Sequence, residues 1–214
     1  MTERLLIDSL RVRRGGQTVL EIDSLHVAGG ELVVISGDAG SGKTTFAAAL
    51  CGAIDAAGLV AIDGKPLAGP PSRRRRAGLA CAFRDGERIA GCTVAEALHL
   101  GAAAGRAGEA LDRFPQLGTR RHIAAHLLSG GEQQLLQVAC AWAARPIVLV
   151  LDSPTVGLAD DATSTLTALA REEVERGATV LWFEADRRAA PDPAQYRLVR
   201  GSLEQVGESA TAPE

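Results

Sequence analysis

A glycine-rich segment containing a lysine follows a short apolar run near the start of the chain. The run is Leu32 to Ile35, and the segment is Gly37-Asp38-Ala39-Gly40-Ser41-Gly42-Lys43-Thr44. It matches the pattern G-x-x-x-x-G-K-[S/T], with a strand predicted before it and a helix predicted from about Gly42 to Gly52. Glycines let backbone N–H groups turn toward a phosphate, and a helix N-terminus adds partial positive charge. An incidental glycine-rich turn would explain neither the full motif nor its context, so we predict a nucleoside triphosphate site.

Two side chains of this segment have predicted roles toward the triphosphate and its metal. Lys43 should reach the β- and γ-phosphate oxygens, and the hydroxyl of Thr44 should ligate Mg²⁺. The predicted nucleotide-binding residues are Gly37, Asp38, Ala39, Gly40, Ser41, Gly42, Lys43, Thr44 and Thr45.

A second glycine-rich motif narrows the class of phosphate-binding protein. Leu128-Ser129-Gly130-Gly131-Glu132-Gln133-Gln134 begins a helix predicted from Gly131 to Ala143, and Leu149-Val150-Leu151-Asp152 and Pro154-Thr155 follow that helix. Together these segments resemble the signature sequence and the second nucleotide motif of the ATP-binding cassette family. The serine and the glycine amides at the helix start form a second anion site. The resemblance covers nearly the whole chain, with the motifs in the family's order.

This resemblance implies a fold, two ligands and a set of site residues. The fold class is α/β, a P-loop NTPase core with a mostly parallel sheet, an N-terminal antiparallel β subdomain and a small helical subdomain. In the family, two ATPase subunits pack head to tail, so that the signature of one closes over ATP held by the other. ATP and Mg²⁺ are the expected ligands, and Asp152 is placed to hold the metal directly or through water. The expected signature residues are Ser129, Gly130, Gly131 and Glu132, and the expected metal-binding residues are Thr44 and Asp152.

The resemblance also implies partners and a location. The expected partners are a second cassette ATPase, in a hetero- or homodimer, and a transmembrane transporter subunit, at the cytoplasmic face of the membrane. Composition agrees, since a net charge of -3 gives no general attraction to nucleic acid. No stretch approaches the roughly 18 to 20 apolar residues of a membrane span. The start of the chain runs directly into a predicted strand, so no signal peptide is predicted.

A narrower similarity links the chain to the ATPases of branched-chain amino-acid importers. Ala159, where most cassettes carry aspartate, and Glu184 suit that subgroup. The other segments that carry the similarity are Thr93-Val94, Glu96, Leu98 to Gly101, Phe114-Pro115, Leu128 to Gln134 and Gly157-Leu158-Ala159.

Residues that perform hydrolysis in the family are replaced at two predicted strand ends. Ser153 stands where active members carry a glutamate that polarises the attacking water. A serine hydroxyl is too weak a base for this task, and losing a positioned general base costs about 10² to 10⁴ in rate. The family's switch histidine, which touches the γ-phosphate, falls on Ala185. Shifting the register to use Glu184 would turn its side chain to the wrong face of the strand.

A third replacement concerns the contact with Mg²⁺. Arg84 stands where the family has a glutamine that contacts the metal and the water. A guanidinium cannot ligate a cation, so Arg84 either pairs with the γ-phosphate or forms a salt bridge with Asp85 or Glu87. Near the start of the chain, Arg14 stands about where an aromatic side chain stacks on adenine.

Binding residues are therefore retained while hydrolytic residues are replaced. A misalignment by one residue could restore Arg84 or Ala185 to other roles, but Ser153 is fixed between Asp152 and Pro154. We predict the ATP-binding subunit of a transporter, with weak or absent hydrolysis of its own and a signature that completes a partner's site. The alternative is a non-hydrolysing regulatory or scaffolding module. A soluble cassette of translation or DNA maintenance would need paired cassettes or long coiled-coil insertions, and a small-molecule kinase would need a substrate lid.

The elements that must position these residues alternate between strand and helix after a β-rich start. Residues 1–206 are predicted to form the ATP-binding domain, with a helical subdomain inserted at about 85–128 and a disordered tail at 207–214. The run Arg73 to Arg76 is predicted to lie in a solvated loop. The cysteines are predicted to be small buried side chains rather than ligands or disulfides. They are Cys51, Cys81, Cys92 and Cys140.

Overall fold

Ten strands form one mixed sheet in the part of the chain that the structure, a computed structural model, describes: residues 3–84, 89–185, 190–192 and 195–206. The strands are β1 (Glu3–Arg14), β2 (Gln17–Ala28), β3 (Leu32–Ser36), β4 (Ala57–Ile62), β5 (Lys65–Pro66), β6 (Leu79–Ala82), β7 (Val148–Asp152), β8 (Thr179–Glu184), β9 (Tyr196–Val199) and β10 (Ser202–Gln205). Their order across the sheet is β5-β4-β1-β2-β10-β9-β3-β8-β7-β6.

Strands β3, β8, β7 and β6 are parallel and form the half of the sheet that carries the nucleotide motifs. They are short and, apart from polar residues at their ends, apolar, as expected for strands covered on both faces. Because they are parallel, their carboxyl ends meet at one edge, where Ser36, Asp152 and Glu184 lie. This edge brings together residues that are far apart in the sequence.

The other half of the sheet is antiparallel and forms from the start of the chain. Strands β1 and β2 form a long hairpin that turns at Gly15 and Gly16, and β4 pairs with the other edge of β1. Buried and exposed side chains alternate along β1 and β2, so one face of the hairpin packs on the core. The predicted α/β class, with an antiparallel N-terminal portion, is confirmed.

Seven α-helices cover the sheet in the described residues, and a single 3-10 turn lies at Ala125–Leu127. The helices are α1 (Lys43–Cys51), α2 (Pro71–Arg76), α3 (Val94–His99), α4 (Arg106–Arg113), α5 (Pro115–Gly118), α6 (Gly130–Ala143) and α7 (Asp160–Glu175). None of the helices described is long and apolar enough to cross a membrane.

Two apolar clusters lie on opposite faces of the sheet. Alternate residues of β8 divide between them, since Trp182 belongs to the cluster with α6 and α7, whereas Phe183 packs against Phe46 of α1. The rings of Phe46 and Phe183 meet edge to face, with centroids 5.3 Å apart. The helix that follows the glycine-rich segment is thereby fixed against the centre of the sheet.

Helices α3, α4 and α5 lie between β6 and α6 in the sequence, in the stretch predicted as an insertion. Arg106 of α4 joins this group to the rest of the protein. Its guanidinium lies 3.6 Å from the ring centroid of Trp142 and donates to the buried carboxylate of Glu173 at 2.9 Å. The division of residues 1–206 into a domain and an inserted subdomain remains a prediction, and the predicted tail at 207–214 lies outside the described residues.

The arginine run is solvated as predicted, since Arg73, Arg75 and Arg76 are exposed, but it is not a loop. It forms the short helix α2, with Pro71 in its first turn, where the missing N–H costs nothing. Arg74 donates to the carbonyls of Ala49 (2.8 Å) and Leu50 (2.7 Å), at the end of α1. A cation at a helix C-terminus satisfies carbonyls that have no partner within the helix. The loop prediction was wrong because this contact depends on packing between two helices, which a charge pattern does not reveal.

The prediction of four unpaired cysteines is wrong for two of them. Cys51, at the end of α1, forms a disulfide with Cys81 in β6, and their Cα atoms are 6.5 Å apart. Thirty residues separate the two positions, and the sequence contains no short-range pattern that pairs them. Cys92 and Cys140 are free thiols, and burial raises the pKa of Cys140 to about 12.

Candidate functional site

A cavity of about 280 Å³ opens where the glycine-rich segment passes from β3 into α1. The sequence places three residues that favour turns here, Gly37, Asp38 and Gly40, between an apolar strand and a helix. The cavity is lined by Ala39, Gly40, Gly42, Lys43, Thr44, Thr45, Arg84, Ser153 and Ala185. The structure therefore brings the predicted phosphate-binding segment together with Arg84, Ser153 and Ala185, the three positions at which replaced hydrolytic residues are predicted.

Glycines give the segment its path around the cavity. Gly40 and Gly42 have φ values of 78° and 110°, which side chains disfavour. A Cβ atom on Gly37 would lie 2.5 Å from the Oγ atom of Ser41 and 2.7 Å from the carbonyl oxygen of Leu198. Larger residues at Gly37 would therefore push the segment away from its neighbours.

Lys43 lies at the first turn of α1, with only 8% of its surface exposed. Its Nζ atom donates to the carbonyls of Gly37 at 2.6 Å and Asp38 at 2.9 Å. Burial lowers the pKa of Lys43, the carboxylates of Asp152 and Glu184 oppose this effect, and Arg84 adds to it. The ammonium group is thus a desolvated cation beside the open space of the cavity, which is the environment that favours a phosphate.

Two oxygen donors at this site fit a magnesium ion. The hydroxyl of Thr44 lines the cavity, and the carboxylate of Asp152 is fully buried at the end of β7, close enough to act on Lys43. Hydroxyl and carboxylate oxygens are the ligands that Mg²⁺ prefers, with phosphate oxygens and water in its remaining positions. Thr44 and Asp152 would hold the metal, which when bound neutralises phosphate charge.

Ser153 and Ala185 occupy the ends of two neighbouring strands. The Ser153 N–H donates to the carbonyl of Phe183 at 2.8 Å, so the residue after β7 is fixed to the end of β8. Ser153 has a φ of 48°, in the left-handed region. Arg84, two residues beyond β6, shares the cavity with them, while its predicted alternative partners Asp85 and Glu87 lie outside the described residues.

Glu184 is a buried carboxylate to which the sequence assigned no role in positioning. Its Oε2 atom accepts from the hydroxyl of Thr155 at 2.8 Å, and its Oε1 atom accepts from the N–H of Ala185 at 3.0 Å. It does not line the cavity, as the alternation along the strand predicts. An acidic residue directly after an apolar strand is the signal that could have indicated a buried, hydrogen-bonded carboxylate.

Relative to the wild type, Glu184→Gln is expected to become progressively more stable as the pH rises above about 4.5. Burial is the main cause of the raised pKa of Glu184, and the hydrogen bonds from Thr155 and Ala185 oppose it. Folding therefore favours the protonated carboxyl. Below the ordinary pKa of 4.5 both states are protonated, and above it the unfolded chain releases its proton first, which costs stability. Glutamine keeps the acceptor oxygen for Thr155 and cannot ionise.

Thermal unfolding across this pH range measures the effect, with the exposed Glu175→Gln as the matched control. A melting-temperature difference between Glu184→Gln and the wild type that stays constant with pH would contradict the prediction.

The signature motif lies on the surface, outside the residues that line the cavity. Ser129 caps α6, since its hydroxyl accepts from the N–H of Glu132 at 3.3 Å and the Glu132 carboxylate accepts from the N–H of Ser129 at 2.9 Å. A Cβ atom on Gly130 would meet nothing within 4 Å, whereas one on Gly131 would lie 2.9 Å from the carbonyl oxygen of Gly157. Packing within the chain therefore requires a glycine at 131 but not at 130.

Arg14, predicted near adenine, is exposed at the end of β1 and does not line the cavity. Its role remains a prediction.

Known proteins resemble this chain over most of its length. The family model described as ABC transporter matches residues 20–156. The chain is 30% identical over 195 residues to the high-affinity branched-chain amino acid transport ATP-binding protein BraG of Pseudomonas aeruginosa, covering 87% of this chain and 84% of that protein. It is 36% identical over 205 residues to the Fe(3+) ions import ATP-binding protein FbpC of Streptomyces coelicolor, covering 87% of this chain and 56% of that protein.

Solved structures share the fold. The structure of an ATP-binding subunit of an ABC transporter superposes with a TM-score of 0.82 at 25% identity, covering 95% of this chain and 90% of the other. A nucleotide-free ATP-binding cassette from an ABC transporter gives a TM-score of 0.78 at 22% identity, covering 94% and 89% of the two chains. The predicted similarity to branched-chain amino-acid import ATPases is confirmed by the match to BraG. The match to FbpC shows that ATPases named for Fe(3+) import are also similar to this chain.

Proposed function

The chain belongs to the ATP-binding cassette family of ABC transporters, and from this we propose that it is a transporter's ATP-binding subunit whose own site hydrolyses ATP slowly or not at all. One observation carries the proposal. A complete phosphate-binding segment shares one cavity with Ser153, Arg84 and Ala185. The phosphate-binding segment retains ATP binding. Ser153, Arg84 and Ala185 replace the groups that the family uses to activate water and to contact the γ-phosphate and the metal.

The proposed defect in hydrolysis concerns proton transfer. Water attacks a phosphate readily only when a group of suitable pKa takes its proton, and the cavity-lining residue after Asp152 is a serine. Glu184 does not supply the missing base, since it does not line the cavity and already accepts a hydrogen bond from the hydroxyl of Thr155. The site is therefore suited to holding ATP rather than to consuming it.

The signature supports a role toward a second ATPase subunit. Gly130 is exposed at the start of the 14-residue helix α6, and its missing side chain leaves room that no atom of the described residues fills. A phosphate of a neighbouring subunit's ATP could approach these amides closely. In a heterodimer, this chain would complete the site of a partner that has a full set of hydrolytic residues. A homodimer would carry two defective sites.

A second surface suits the proposed transmembrane subunit. A cavity of about 330 Å³ lies between α2, β6 and α6, lined among others by Arg75, Phe83 and Ala141. It adjoins the strand that leads to Arg84, so a membrane subunit seated there would contact the element that carries a cavity residue. A membrane subunit bound there would hold the protein at the cytoplasmic face of the membrane.

Two measurements test the proposal. Purified chain alone is expected to bind ATP with Mg²⁺ yet to hydrolyse it about 10² to 10⁴ times more slowly than an active cassette. A partner recovered from membranes with ATP is then mixed with wild type or with Gly130→Val. The variant is expected to retain ATP binding at its own site and to lower hydrolysis in the mixture. The proposal would be contradicted if the purified chain alone hydrolysed ATP at the rate of an active transporter, or if the mixture with Gly130→Val hydrolysed ATP as fast as the mixture with wild type.

A non-hydrolysing regulatory module is the other outcome of this experiment. It is favoured if the chain binds ATP, dimerises and recovers no membrane subunit.

A further inference from the structure

Two cations face the cavity. Lys43 lines it from α1, and Arg84 lines it from just beyond the end of β6. Arg84 is also close enough to Lys43 to act on its pKa in the direction that a neighbouring cation must. The site thus carries more positive charge than the phosphate-binding segment alone would give it.

The backbone of Arg84 is held in place by the signature helix. With its amide nitrogen facing the strand, the buried side chain of Gln134 donates to the carbonyls of Arg84 at 2.9 Å and Phe83 at 3.2 Å. Gln134 lies in the second turn of α6, directly after the signature. The backbone position from which the side chain of Arg84 reaches the cavity is therefore held by two hydrogen bonds from one buried side chain.

A guanidinium and a metal ion compete for the same task at a triphosphate. Both neutralise the charge that accumulates on the β- and γ-phosphate oxygens. Because both are positively charged, they repel each other. Arginine is suited to the task, because its planar group binds phosphate through two parallel N–H donors and gives up its hydration readily. Thr44, which lines the cavity, and the buried Asp152 provide oxygen donors for a metal, and none of the residues that line the cavity in the described part of the chain is a carboxylate or an amide.

We propose that Arg84 takes over the charge-neutralising role of Mg²⁺ in this site, so that the protein binds metal-free ATP nearly as tightly as the magnesium complex. This inference rests on the proposed function, since it requires that the cavity holds ATP. The arginine at position 84 would then have two effects. It would relax the metal requirement of ATP binding, and it would remove the contact that a glutamine makes there with the metal and the water.

The experiment compares ATP affinity with millimolar Mg²⁺ and with excess EDTA, measured by the fluorescence of a labelled ATP analogue. The variants are Arg84→Gln, Arg84→Lys and the matched control Arg73→Gln, an exposed arginine of α2. Wild type and Arg73→Gln are expected to lose no more than about threefold in affinity when the metal is removed. Arg84→Gln is expected to lose about 10- to 100-fold, which is what charge-assisted hydrogen bonds to phosphate contribute.

The variant Arg84→Lys distinguishes the effect of the positive charge from that of the paired N–H donors. It also provides a conservative substitution if Arg84→Gln does not fold. Arg84→Lys keeps a cation without the paired donors and should fall between wild type and Arg84→Gln. The inference is overturned if EDTA abolishes binding to wild type, or if folded Arg84→Gln responds to EDTA as wild type does. A wild-type protein that binds no ATP even with Mg²⁺ would instead contradict the proposed function.

Discussion

Replacing Ser153 with glutamate is expected to raise the rate of ATP hydrolysis by about 10²-fold. Ser153 lines the cavity beside Thr44, and its backbone is fixed to Phe183, so a longer side chain at this position starts from a defined point. A carboxylate there can accept the proton of a water molecule, which a hydroxyl cannot do at neutral pH. Single-turnover hydrolysis of radiolabelled ATP measures the change directly, since product release does not limit it.

The matched control for this experiment is Ser153→Ala, which removes the hydroxyl without adding a base. Its rate should stay at the wild-type level. Adding Arg84→Gln to Ser153→Glu is expected to raise the rate further, because a guanidinium in the same cavity would pair with the new carboxylate and weaken it as a base. Equal rates for Ser153→Glu and Ser153→Ala would show that the missing base is not the main defect.

Replacing Lys43 with methionine is expected to weaken ATP binding by about 10²-fold or more. The buried ammonium group has lost most of its water and donates to two carbonyls of the nucleotide segment. Methionine fills a similar volume and removes both the charge that faces the phosphates and the donor that holds the loop. Isothermal titration of ATP measures the loss, and thermal unfolding verifies that the variant remains folded.

The chain offers a close control for this variant. Lys65 is its only other lysine, and it is exposed on the short strand β5. Lys65→Met removes the same charge from the protein and should leave ATP affinity unchanged. A similar loss in both variants would attribute the effect to net charge rather than to the site.

The phosphate cavity could be predicted because its chemistry is local. Backbone amides, glycine turns and one lysine within eight residues perform the binding, so a short motif contains nearly all the information. The apolar strands of the parallel half were predictable for the same reason, since each is a short uninterrupted run. The positions of Ser153, Arg84 and Ala185 were predicted from the ends of those strands alone, and all three residues line one cavity.

Contacts between distant segments were not predictable from one sequence. The helix α2 forms where charge alone indicated a loop, because Arg74 caps a helix that ends more than twenty residues earlier. The hydrogen bond between Thr155 and Glu184 joins residues 29 positions apart, and each side chain is ordinary in its own segment. Such pairs become visible only when the strand order is known.

The disulfide between Cys51 and Cys81 makes the stability of this protein depend on the redox state of its surroundings. It closes a loop of 30 residues that contains β4, β5 and α2. A cross-link of that span lowers the entropy of the unfolded chain by an amount worth about 3 to 4 kcal/mol. A reductant would therefore shift the melting temperature without any change in sequence. A difference in stability between two variants can therefore be attributed to a side chain only when Cys51 and Cys81 are in the same oxidation state in both.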